Sequence, residues 1–217
     1  MNKEWSEKNK KMQSLIGKEA SFKEGIDVLI ELREELFSQI KTIVDNCPSE
    51  AFSEMPFAKA DGYHSKTLAY SMWHIFRIED IVAHTIISND SQVIFTDDHL
   101  KKIGSPIITT GNELKGEEIA EFSKQLDVKA LYDYCTAVKD STDEMLKRLE
   151  YKELKRKFTD EDKKRVAESK SVSTDEEAVW LIDYWCDKDI RGLIKMPFSR
   201  HWIMHIEAMC RIITKLK

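Results

Sequence analysis

Met196-Pro-Phe-Ser-Arg-His-Trp-Ile-Met-His-Ile-Glu-Ala-Met-Cys-Arg-Ile-Ile213 places His201 and His205 four residues apart near the end of a 217-residue chain. If the stretch is helical, the two imidazoles project from one face about a turn apart and can converge on a single ion. Trp202, Ile206, Met209, Ile213 and Leu216 recur at helical spacing and make a packing stripe that the two histidines flank. Pro197 or Ser199 is placed to open the helix. With six histidines in the chain, about 0.16 such pairs are expected by chance, so the pair alone does not carry a metal reading. A third histidine, His74, lies in a second apolar helical pattern, Thr67-Leu-Ala-Tyr-Ser-Met-Trp-His-Ile-Phe-Arg-Ile-Glu-Asp-Ile-Val82. On a wheel of 100° per residue, His74 stands at one edge of the apolar arc and Glu79 about 140° away at the other. Glu79 is therefore expected to pair with a basic side chain or backbone group rather than share an ion with His74.

Outward from these two stretches the chain reads as helical. Only seven Gly and four Pro are present, too few for the many tight turns of an all-β fold. Trp5, Met12, Leu15 and Ile16 predict a short amphipathic helix in an N-terminal extension, 1–20. Ser21-Phe-Lys-Glu24 reads as a capping box. The long helix it opens carries Phe22, Ile26, Leu29, Ile30, Leu36, Phe37, Ile40, Ile43 and Val44, and stops at Cys47-Pro48. Ser65 is the expected cap of the second helix. The stretch 88–124, punctuated by Gly104, Pro106, Gly111 and Gly116, reads as an insertion with short helices near 97–103 and 117–124. Asp127 caps a third long helix through Val128, Leu131, Tyr132, Cys135, Val138, Met145, Leu146 and Leu149. The charged 150–171 stretch reads as a solvated connector. Thr174-Asp-Glu-Glu177 is a further capping box, before a helix with Val179, Leu181, Ile182, Trp185 and Cys186 on its apolar side. Gly192 and Pro197 are expected to close the connection that follows. One domain, 1–217, built as an all-α four-helix bundle with extra short helices in its insertions, accounts for these patterns.

The charge balance, 34 basic against 39 acidic residues with the signs mixed, offers no basic stripe for nucleic acid. No apolar run is long enough for a signal-peptide core or a membrane span, so the expectation is a cytoplasmic chain that binds neither nucleic acid nor membrane. Cys47, Cys135, Cys186 and Cys210 form no CxxC pair and read as small buried residues. Of the remaining histidines, His84 is turned about 80° from His74 toward the polar side and is expected at the surface. His64 and His99 fall outside the helical stripes, before the second helix and in the insertion.

Bundles place metal sites between facing helices, and three neutral imidazoles from two helices hold a divalent ion with a position left open. Such a site keeps the full charge of the ion and generates hydroxide or thiolate at neutral pH. The expected ligands are His74, His201 and His205, and the expected ion is zinc or nickel. Three satisfied structural histidines are the competing reading.

His201-Trp-Ile-Met-His205 together with Met72-Trp-His-Ile-Phe-Arg-Ile-Glu79 resembles the DinB/YfiT-like superfamily, over roughly 20–217. The resemblance implies an up-down-down-up bundle with a three-histidine divalent metal site. It also implies, for part of the family, transfer of low-molecular-weight thiols such as bacillithiol or mycothiol to a small-molecule substrate, and frequently homodimers. Metal-hydroxide hydrolysis and a non-catalytic, stress-associated bundle are the alternatives. The insertions 88–124 and 150–171 make the chain longer than a minimal member.

Overall fold

The computed structural model describes residues 2–60 and 62–216, and the described chain is helical, with no strand among these residues. The helices are α1 (Lys3–Leu15), α2 (Phe22–Asn46), α3 (Leu68–Asp80), α4 (His99–Ile103), α5 (Glu117–Lys124), α6 (Val128–Arg148), α7 (Asp160–Glu168), α8 (Glu176–Cys186), α9 (Ile190–Lys195) and α10 (His201–Leu216). None is long and apolar enough to cross a membrane.

Local chemistry accounts for where these elements start and stop. Asn2 caps α1 by accepting from the N–H groups of Glu4 and Trp5, and Trp5, Met12 and Ile16 turn inward onto α2. The crossing is close because α2 has Gly25 there: a Cβ at this position would stand 2.6 Å from Ile16 Cγ2. The capping box expected at Ser21 does not form. A 3-10 turn, Glu19–Ser21, runs straight into α2, and the Ser21 hydroxyl donates backward to the Leu15 carbonyl, closing α1 instead.

Thr67, rather than Ser65, caps α3, its hydroxyl accepting from Tyr70 N–H, while Ser65 bonds the Gly62 carbonyl. The second helix is also buried on every side from Leu68 to Ile87, so the half-buried arc read from the wheel does not describe it. Past Asp80 it widens into a π-helical segment, Ile81–Ser88, and ends on Asn89 in the left-handed region at φ 55°. Both features overturn the surface placement of His84. The wider winding shifts the phase of residues beyond 80, and α6 covers that side. His84 is buried, between Asp90 Oδ1 at 2.6 Å and Ser141 Oγ at 3.1 Å.

α6 starts on Asp127, whose carboxylate accepts from Ala130 N–H, and buries Leu131, Cys135, Val138 and Leu146. The 150–171 stretch is packed rather than a free connector: a 3-10 turn at Tyr151–Lys155 and α7 bury Leu154 and Val166, with Thr159 and Asp162 forming a capping box. α8 is capped by Asp175 and not Thr174. Its buried face is Ala178, Leu181, Trp185 and Cys186; Val179, expected inside, is 43% exposed, on the flank of that i, i+3, i+7 row about 100° round the helix from Ala178. Gly192 lies within α9, and the π-helical turn Met196–Arg200 joins α9 to α10. In α10, Trp202, Ile206 and Met209 are buried and Leu216 is exposed.

Packing follows a ring in which α2 touches α6, α6 touches α3, α3 touches α10 and α10 touches α2. Apolar side chains gather in two clusters, one including Leu36, Phe37, Phe76, Leu131, Trp202 and Ile206, the other Ile26, Val82, Leu146, Trp185 and Phe198. Among them lies a charged layer. Arg33 of α2 donates Nε to Asp143 of α6 at 2.5 Å and both terminal nitrogens to Glu79 of α3 at 2.7 and 2.9 Å, and Trp202 Nε1 of α10 donates to the same Glu79 carboxylate. Although burial works against its charge, Glu79 and then Asp143 hold the Arg33 guanidinium above its ordinary pKa. Glu79 is thus committed to a basic partner and not to the histidines.

Candidate metal centre

α3 and α10 bring His74, His201 and His205 together. The ring centroids lie 5.1 Å apart for His74 and His201, 4.8 Å for His74 and His205, and 4.5 Å for the α10 pair. Each ring offers a nitrogen within 4.8 Å of the others, and all three residues are buried, so the group could hold a metal ion. The α10 pair owes its closeness to the i, i+4 register of one helix. His74 arrives through tertiary packing, because α10 buries Trp202 and Ile206 against the same helix that carries it.

Hydrogen bonding distinguishes the three rings. His74 Nδ1 is 2.9 Å from the main-chain carbonyl of Thr110, in the 88–124 insertion. Next to a carbonyl this nitrogen must carry the proton, which fixes the tautomer and leaves Nε2 as the lone-pair donor. The insertion is pinned along α3 by a set of such bonds: Trp73 Nε1 donates to Thr109 O, Arg77 to Ile108 O, and Tyr70 Oη to Gly111 O. Gly111 adopts φ 78° at the point where Tyr70 comes within 3.0 Å of its missing Cβ, so the close approach and the backbone angle both call for glycine. His201 Nδ1 and both nitrogens of His205 have no hydrogen-bond partner although they are buried. A buried polar nitrogen without a partner costs about 1–3 kcal/mol, and a metal ion taking one nitrogen from each of the three rings would meet part of that cost.

Electrostatics keeps these rings neutral. Burial, with a smaller push from the Lys66 ammonium, takes His74 down to about 4 against the opposing Thr110 carbonyl. Burial and then the neighbouring histidines hold His201 and His205 well below the ordinary histidine value. Neutral imidazole is the form that ligates a metal. The thiols run the other way: burial raises Cys135 well above its usual value and takes Cys186 up to about 11, which disfavours a thiolate on either.

The cluster opens into a cleft of about 290 Å³ whose floor includes His74 and His201. Tyr63, Trp180, Tyr184, Trp185, Met196 and Asn112 are among its walls, and the Tyr63 ring meets His205 edge-on at 4.7 Å. None of these was read from the sequence as part of a site, Trp185 being expected as a core residue. Trp180 and Tyr184 did leave a signal, an aromatic pair at i and i+4 on the outward face of α8, whereas the Thr110 carbonyl is main chain and has no residue signature. His64 is partly buried and lies 2.9 Å from Arg211, and His99 packs beside Tyr134 with centroids 5.7 Å apart; neither joins the cluster.

Ser141, His84 and Asp90 have the connectivity of a nucleophilic triad. Ser141, however, lies inside α6, where the helix ladder takes up the N–H groups that would stabilise an oxyanion. Their hydrogen bonds tie the π-helical end of the second helix to α6. Set against known protein families and against curated proteins, the chain matches none.

Proposed function

We propose that His74, His201 and His205 hold a divalent ion, zinc or nickel, and that the protein is a metal-dependent transferase of small thiols of the bacillithiol type, in the manner of the DinB/YfiT-like superfamily. The observation that carries the reading is the set of partnerless buried nitrogens on His201 and His205, facing a His74 whose other nitrogen is held by Thr110. An all-nitrogen set of three ligands suits such an ion and leaves a coordination position open, which is the catalytic rather than the structural arrangement. When bound, the ion supplies a Lewis acid whose uncancelled charge lowers the pKa of a thiol or water placed against it. The chain's own residues do the rest. Thr110 orients His74, the α10 helix fixes His201 against His205, and the apolar walls of the cleft keep water from an electrophile placed beside the site.

The ring of contacts α2–α6–α3–α10 supports a four-helix bundle, and the long 88–124 connection between α3 and α6 fits the crossover of an up-down-down-up topology. A cytoplasmic homodimer completes the reading. Thiol conjugation is tested by mixing zinc-loaded or nickel-loaded protein with bacillithiol and an electrophile, while the spectrum of the nickel form reports thiol binding. A nickel spectrum unmoved by thiol, with conjugation no faster than background, would replace this reaction by metal-hydroxide hydrolysis. A protein that holds no ion would leave a non-catalytic bundle.

A further inference from the structure

The cleft beside the histidines is built for a particular chemistry. No Asp, Glu, Lys or Arg is among its described lining residues, so a charged group entering it would lose water without a counter-ion on those walls. Its rim exposes aromatic surface: Trp180 is 48% and Tyr63 39% exposed. These side chains are held in place. Trp180 Nε1 donates to the Glu177 carbonyl at 2.9 Å and packs edge-on against Tyr184 with centroids 5.4 Å apart, while Tyr63 leans on His205. Two aromatic walls, one from α8 and one from the turn at Gly62–His64, therefore flank the histidine floor. The single amide among the lining residues is Asn112. Its Oδ1 accepts the Thr110 hydroxyl at 2.8 Å, and its Nδ2 has no acceptor among the described residues, which leaves a donor for a ligand oxygen. A volume of about 290 Å³ sits at the small end of ligand clefts.

We propose that this cleft binds an uncharged aromatic molecule bearing an oxygen acceptor, its ring between Tyr63 and the Trp180–Tyr184 pair and its oxygen on Asn112. The proposal rests on the metal-centre reading for its place beside a reaction, but binding itself needs no metal. Offset and edge-to-face contacts with three aromatic side chains favour a flat ring over an aliphatic one of equal size.

Nitrobenzene, which is uncharged and carries an oxygen acceptor, serves as the probe. Its binding to chelator-treated full-length protein is read by calorimetry and by quenching of tryptophan fluorescence, with toluene and benzoate as comparators. The expected dissociation constant for nitrobenzene is about 1 mM or tighter, with benzoate about tenfold weaker or more because its charge is desolvated unpaired. The Trp180→Ala/Tyr184→Ala variant should weaken nitrobenzene about tenfold, and Asn112→Ala should erase its preference over toluene. Benzoate binding as tightly as nitrobenzene, or a double variant that binds the probe unchanged with an intact melting curve, overturns the proposal. So does absence of probe binding together with a dimer that Trp180→Ala converts to monomer, which would assign this face to a second copy of the chain. A zinc titration of the same samples separates the two readings: probe binding without zinc binding removes the metal centre and leaves the cleft, and zinc binding without probe binding does the reverse.

Discussion

Glu79 and His74 stand on the same helix, α3, both buried, and their surroundings are opposite in kind. Glu79 has the Arg33 guanidinium on both oxygens and the Trp202 indole N–H on one, and Asp143, which shares that guanidinium, also takes Lys139 Nζ at 2.9 Å. No polar atom of Arg33, Glu79 or Asp143 is left over. Across α3 and α10, the histidine cluster leaves three buried nitrogens with nothing to bond. Burial is costly for both groups, and only the first meets that cost within the protein. The charged layer belongs to the fold, since it ties α2, α3, α6 and α10 to one another. The histidines have buried nitrogens that an ion from outside the chain could bond.

The largest effect expected from this contrast is on Arg33. Arg33→Ala leaves the Glu79 carboxylate buried without a counter-charge and Asp143 with Lys139 alone, and should lower stability by about 3–5 kcal/mol, which for a chain of this size moves the melting temperature by about 6–20 °C. Glu79→Ala should destabilise less, because Asp143 still pairs with the guanidinium, and should leave zinc affinity within about threefold. Thermal melts and zinc calorimetry on both variants check this. An Arg33→Ala protein as stable as the parent would dissolve the distinction between the two clusters.

Acid should act next in size, and on the other cluster. An unfolded histidine takes its proton near 6.5, whereas folded His74 resists until about 4. Between those pH values the unfolded chain binds more protons, so the stability of metal-free protein rises with pH. The contribution is complete above about 6.5 and is lost as pH falls toward 4. For His74 alone it amounts to about 3 kcal/mol at most. Melts in chelator from pH 7.5 to 5 should show this slope, and His74→Ala should reduce it while His201 and His205 keep the remainder.

Smaller still is the expected cost of removing a ring that lacks partners. His205→Ala deletes two unsatisfied nitrogens along with some packing, so metal-free stability should fall by less than about 1.5 kcal/mol, while zinc binding is lost. A loss comparable to that of Arg33→Ala would mean that His205 is a structural residue like Glu79.

How far the sequence reveals these clusters depends on what each residue's signal is made of. The long stripes of α2 and α6 and the Asp127 cap are visible because helical period and capping chemistry are local. The spacing of His201 and His205 is visible for the same reason. Arg33 and Asp143 pair across 110 positions, which no local pattern shows, although Arg33 sits four residues after Leu29 and three before Leu36, a charge inside the apolar stripe. His84 was misplaced because a wheel presumes a solvent side and constant winding, and the second helix has neither. α8 is misread at Val179, which is apolar yet exposed, because apolar character alone does not separate a core face from an exposed one. The carbonyl that orients His74 could not be seen at all, since any residue at position 110 would present one.

The central claim is that three buried imidazoles form one divalent metal site. Zinc calorimetry on chelator-stripped protein and on His74→Ala, His201→Ala and His205→Ala tests it most directly, with circular dichroism confirming that each variant is folded. The account predicts one ion per chain for the parent, and for every single variant a loss at least as large as outer-shell substitutions cause, about 10–100-fold. A His74→Ala protein that binds zinc as tightly as the parent, or a parent that binds none, would contradict it.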